Sequence, residues 1–135
     1  RDSALKAEMT PDGCKVVSGL WFDFYTGKSQ TDPSWKKLQI DHMVPLANAW
    51  SSGAWKWTHQ MRVDYANDLS DSHLLAVSAS ENRKKGDRGP DDYLPPNEVF
   101  RCRYVAIFVD RKAKYGLAMI NNEEAVIKEI TDACK

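Results

Sequence analysis

Nowhere do the 135 residues hold an apolar run approaching the roughly 18 consecutive residues of a membrane-spanning helix. The beginning of the chain also lacks the apolar stretch of a leader peptide, because Arg1, Asp2 and Lys6 place charge there. The expectation is therefore a soluble, mature chain that needs no membrane. Net charge is missing too. Nineteen basic residues face nineteen acidic ones, which excludes a globally positive field and leaves a local basic patch or a bound metal as the source of any nucleic-acid affinity. Repeats, low-complexity runs and dividing linkers are absent. A chain of this length, 42% hydrophobic and 28% charged, is sized for one domain around one core.

Cysteine is scarce as well. Cys14, Cys102 and Cys134 match no zinc spacing such as C-x2-C. Cys102 and Cys134 flank what reads as a helical hairpin over about 97–134, and we read them as a disulfide. That implies an oxidising compartment and a secreted protein, a picture the five Trp of a compact chain also fit. Cys14 is then odd, and expects a partner in another chain or in a segment preceding this one. Three reduced thiols in a cytosolic protein are the alternative left open by spacing alone.

Along the chain, residues 3–9 read as a helix stopped by the turn chemistry of Thr10-Pro11-Asp12-Gly13. Residues 16–25 (VVSGLWFDFY) mix β-branched and aromatic side chains as a strand does, with Tyr25-Thr26-Gly27-Lys28 as a hairpin turn. Residues 38–42 (LQIDH) read as a short strand, Pro45 opens a helix ending near Ser51-Ser52-Gly53, and residues 58–67 form another. Residues 73–77 (HLLAV) read as a buried strand, followed by a short helix over 78–85 that Gly86 terminates. After Pro90, Pro95 and Pro96, residues 99–115 and 123–134 show helical apolar spacing. The fold class is α+β.

Hydrolysis of a phosphodiester needs a base for water, a cation to neutralise developing charge, and groups that hold both in place. Asp41-His42 and Asn82 supply such types: an imidazole, and two oxygen ligands suited to a hard ion such as Mg2+. An adjacent Asp and His on a strand point to opposite faces, so they act together only if the backbone bends, as Met43-Val44-Pro45 encourages. Arg83, Lys84, Lys85 and Arg88 form the densest basic cluster. Its bland reading is a solvated helix end, where cations favour the dipole. His42 alone would more often be structural than catalytic, His59 reads as merely exposed, His73 as a core strand residue, and Asn67-Asp68 as a helix stop.

Several short motifs occur in one order: Ile40-Asp41-His42-Met43-Val44-Pro45-Leu46-Ala47, then Asn67-Asp68-Leu69, then His73-Leu74-Leu75-Ala76-Val77-Ser78, then Ser80-Glu81-Asn82-Arg83-Lys84-Lys85-Gly86-Asp87. Together they resemble the secreted branch of the HNH, or ββα-metal (His-Me finger), endonucleases, and the likeness covers most of the chain. It implies a ββα core over about 38–88 and one divalent ion, Mg2+ first, with Mn2+, Ca2+ or Zn2+ as substitutes in crystals. It implies His42 as general base, Asp41 and Asn82 as metal ligands, and Arg83, Lys84, Lys85 and Arg88 on the phosphates of DNA, and leaves open whether RNA is also cut. The middle Asn of the family name falls on His73, a departure that leaves His73 and Asn67 as two candidates to orient His42. Similar sequences carry a cysteine in an N-terminal extension, which would pair with Cys14 in a chain clipped before Arg1; a monomer is otherwise expected.

Two rivals remain. One is a zinc-binding structural or DNA-binding module built on Asp41, His42 and His73, which lacks an evident fourth ligand. The other is a toxin domain held by an immunity partner.

Overall fold

The computed structural model describes residues 4–9, 16–31, 34 and 36–134, with the backbone alone for 4–9 and 16–18. Cys14 and the turn expected at Thr10-Pro11-Asp12-Gly13 lie outside the described residues. The architecture is α+β. A three-stranded antiparallel sheet runs in the order β1 (Ala4–Met9), β2 (Val16–Asp23), β3 (Lys28–Gln30). The helix expected over 3–9 is thus corrected to a strand. Six residues are too few to sustain a helix alone, and Leu5, Ala7 and Met9 alternate with Lys6 and Glu8 at the period of a strand, so pairing with β2 decides.

The turn joining β2 to β3 positions Tyr25. The Asp23 carboxylate accepts from the Tyr25 amide at 3.0 Å and from the Thr26 hydroxyl at 2.6 Å. Gly27 takes φ +75°, a conformation that disfavours a side chain. Asn97 clamps the same turn, its side-chain amide donating to the Phe24 carbonyl at 2.9 Å and its backbone amide to that of Tyr25 at 3.0 Å. Tyr25 is thereby driven fully into the core.

A second sheet pairs β4 (Leu38–His42) antiparallel with β5 (Leu74–Ser78), with His42 opposite Leu74 and Leu38 opposite Ser78. Helix α3 (Ala79–Lys85) follows β5 directly. Ser78 caps it by accepting from the Glu81 amide at 3.4 Å, and Gly86 ends it at φ +54°. Two strands and a helix in this succession make the expected ββα unit. Between β4 and β5 the chain forms α1 (Leu46–Ser51), a 3-10 turn (Ala54–Lys56) and α2 (His59–Ala66), the last capped by Thr58.

Helices α4 (Glu98–Lys114) and α5 (Glu123–Ala133) close the structure, and the Cys102–Cys134 disulfide joins them. A buried ion pair also ties them: Lys112 Nζ lies 2.6 Å from Glu123, whose other oxygen accepts from Asn48 of α1 at 2.7 Å. Gly89 passes so close that a Cβ there would collide with the same carboxylate. Met43, Val44, Tyr65, Val77, Tyr104 and Phe108 share one apolar cluster with Tyr25. Because Met43 and Val44 follow His42 directly, the end of β4 is anchored in that cluster.

Candidate active site

Strand β4 turns its side chains to opposite faces at Asp41 and His42. The imidazole of His42, half-buried, reaches the end of α2, where its Nε2 lies 2.9 Å from the Ala66 carbonyl. A carbonyl only accepts, so Nε2 carries the hydrogen and the lone pair of the neutral ring sits on Nδ1. The ring stacks on Tyr65 at 6.5 Å between centroids and meets His73 edge-on at 6.0 Å. His73 binds the preceding carbonyl, its Nε2 2.7 Å from that of Tyr65. The last turn of α2 therefore presents two successive carbonyls, at the negative end of the helix dipole, to two histidines.

His73 is fully buried, and its Nδ1 has no hydrogen-bond partner. Burial pushes its pKa below the ordinary histidine value against the opposing bond to the Tyr65 carbonyl, which favours a neutral ring packed against His42. Asn67 is exposed, and its side chain donates back to the Val63 carbonyl at 2.9 Å. The hydrogen bond that orients His42 thus comes from neither side chain proposed for it. The backbone carbonyl of Ala66 makes it, an acceptor that side-chain patterns do not reveal.

On the other face, Asp41 is buried, and its Oδ2 accepts from the Tyr25 hydroxyl at 2.5 Å and from Lys85 Nζ at 2.6 Å. Lys85 Nζ also donates to the backbone carbonyls of His42 at 2.9 Å and Met43 at 2.8 Å. This corrects the expectation that Lys85 holds phosphate: its side chain is wholly buried. It faces β4 because it lies three residues beyond Asn82 on the same side of α3, and there it fixes the bend at which His42 leaves the strand. Burial pushes its pKa down, with Asp41 opposing.

Asn82 donates through Nδ2 to Gln39 Oε1 at 3.0 Å, which turns its amide oxygen to the remaining side. Gln39 and Asp41 are two residues apart and share a face of β4. Among the described residues both bonds to Asp41 fall on Oδ2; a carboxylate and an amide oxygen are the hard donor types that suit Mg2+. Among the described residues, no three His, Cys, Asp or Glu side chains converge as a metal cluster. Asp41, His42 and His73, the ligands of the rival zinc module, do not form such a cluster.

Of the basic cluster, Arg83, Lys84 and Arg88 are exposed. Lys84 pairs with Glu81 at 3.2 Å, and Arg88 pairs with Asp92 at 3.4 Å and donates to the Lys84 carbonyl. His59 is exposed, as expected.

A latch behind the histidines was not legible from sequence. Asp68 accepts from the Ser70 amide at 2.8 Å, the Ser70 hydroxyl at 2.6 Å, Lys114 at 3.1 Å and the Tyr115 hydroxyl, and Arg111 lies 3.6 Å away. Desolvation raises its pKa, but these hydrogen bonds outweigh it and hold the carboxyl well below the usual range. The end of α2 is thus fastened to the end of α4, and the carbonyls that bind His42 and His73 are fastened with it.

A family model described as GmrSD restriction endonucleases, C-terminal domain, matches residues 7–130. A protein of Arthroderma benhamiae described as an uncharacterized secreted protein is 38% identical over 138 residues, covering 99% of this chain and 67% of its own length. No solved structure matches.

Proposed function

Because the chain belongs to the family of GmrSD restriction endonuclease C-terminal domains, we propose that it is a metal-dependent, secreted endonuclease that hydrolyses DNA at His42. The carrying observation is the bond from His42 Nε2 to the Ala66 carbonyl, which fixes the tautomer and leaves Nδ1 as a base. Secretion is supported by the Cys102–Cys134 disulfide and by the description of the Arthroderma relative.

In the reaction, Nδ1 of neutral His42 takes a proton from water while the water oxygen attacks phosphorus. The bond from phosphorus to the 3′ oxygen breaks, that oxygen acquires a proton from solvent, and the product ends in a 5′ phosphate. Asp41 and Asn82 are the oxygen donors that would hold a divalent ion, whose charge would offset that developing on the phosphoryl oxygens and the leaving group. This requires the ion and the imidazole, held from opposite faces of β4, to meet at one phosphate beyond the end of the strand. Lys85 keeps Asp41 and the His42 backbone in register. Arg83, Lys84 and Arg88 bind flanking phosphates, which carries affinity without sequence preference.

The test is nicking of supercoiled plasmid by the intact chain and by His42→Ala, with Mg2+ and with EDTA, alongside circular dichroism. His42→Ala is expected to cut at least ~100-fold more slowly, and EDTA to stop cleavage while the fold persists. A variant as fast as the intact chain refutes the mechanism. Unfolding by EDTA would instead support the zinc module.

A further inference from the structure

The wall that holds His42 has a second side. Tyr65 and Ala66, which stack on and bind the imidazole, also line an apolar cavity of about 210 Å³ with Leu46, Trp50, Trp57 and Arg62. Its mouth is open: Leu46 and Trp50 are each 51% exposed. We propose that this cavity binds one unstacked nucleobase of the substrate, and so directs cleavage to single-stranded or locally unpaired DNA. The inference rests on the nuclease reading and adds a substrate class to it.

Three features select a base over other occupants. The lining is almost wholly apolar and carries two indole rings, the surface on which bases of any identity stack. Arg62 supplies the charge that an attached phosphate calls for. Its guanidinium lies 5.3 Å from the centroid of Trp50, and its Nη1 donates to the Trp57 carbonyl at 2.6 Å, so the cation is held at the rim. Lys56, 5.2 Å from the exposed ring of Trp55, adds a second cation and a third indole close by in the chain. Finally, the pocket and His42 share a wall, so a nucleotide seated there brings a neighbouring phosphate toward the base. A paired base inside a duplex has no free face to offer, which makes the site selective for strands that are open.

The test measures anisotropy of a fluorescent oligothymidylate of about eight nucleotides bound to the intact chain in EDTA, where cutting stops. A strand of equal length and charge that lacks its bases is the comparison. The base-bearing strand is expected to bind about tenfold tighter; Trp50→Ala abolishes that difference and Trp50→Phe retains most of it, both variants melting as the parent does. Equal affinity for the two strands, with plasmid cleavage intact, overturns the pocket and leaves the nuclease reading standing. A base preference that survives Trp50→Ala also overturns it. If the chain neither binds nor cuts DNA, the nuclease reading falls and the pocket falls with it.

Discussion

Replacing Lys85 with methionine keeps most of the volume of the side chain and removes its charge. The ammonium is wholly buried and holds Asp41 Oδ2 and the carbonyls of His42 and Met43 within 2.9 Å. Without it, two carbonyls lose a donor and, among the described residues, a buried carboxylate keeps only Tyr25. Removing one partner of a buried pair costs about 3–5 kcal/mol, because the other charge is left uncompensated. Against the ~5–15 kcal/mol that separates folded from unfolded domains, that is a large fraction. Urea unfolding followed by circular dichroism should therefore show a midpoint well below that of the parent at unchanged slope. Asp41→Asn combined with Lys85→Met should lose less than the sum of the single losses, with a coupling of roughly 1–3 kcal/mol. A Lys85→Met protein within ~1 kcal/mol of the parent would refute the reasoning, since an unpaired carboxylate in this site could not be so well tolerated.

Acid should act in two steps. Burial holds the pKa of His73 below its ordinary value of 6.5, so the unfolded chain takes up a proton that the folded chain refuses. The stability this confers is complete above ~6.5 and is lost as pH falls toward the lowered folded value, at up to ~1.4 kcal/mol per pH unit. Urea midpoints from pH 7.5 to 5 would show it, and a His73→Gln profile identical to the parent would contradict it. Asp68 is depressed below its ordinary 3.8, so its contribution is complete above that value and disappears as pH falls further; Asp68→Asn should flatten the profile below pH 4. Reducing the Cys102–Cys134 bond, which closes a sequence separation of 32 residues, should lower the unfolding free energy by up to ~3–4 kcal/mol. A thermal midpoint unchanged by reductant would show that the packing of α5 alone secures it.

Legibility divides along the line between local and non-local forces. The ends of α3 are readable because Ser78 and Gly86 act on their own helix, β4 and β5 emerge from patterns within short windows, and the disulfide pairing is readable because its cysteines flank a helical hairpin. Strand β1 misleads because propensities over six residues differ by tenths of a kcal/mol each, whereas its partner β2 lies outside any such window. Lys85 misleads for a related reason. A cation among Arg83, Lys84 and Arg88 looks solvated by composition. Only its position three residues from Asn82, on the face turned to β4, reveals that it is the internal member of the cluster.

The carbonyls of Tyr65 and Ala66 are illegible in principle, since every residue carries one. They acquire their role because α2 ends there and because Asp68, just beyond, is seized by Lys114 and Tyr115 of the C-terminal region. This arrangement explains how a histidine at a strand end can be held accurately by a backbone carbonyl. A carboxylate on Nε2 would favour the imidazolium and oppose the neutral state that a base needs, whereas a carbonyl fixes the same tautomer with only a partial charge. The carboxylate that the sequence does place next to His42 points to the other face of β4, where Lys85 balances its charge. Orientation of the imidazole and compensation of the acid are thus assigned to opposite sides of one strand, and the bend at Met43 joins them.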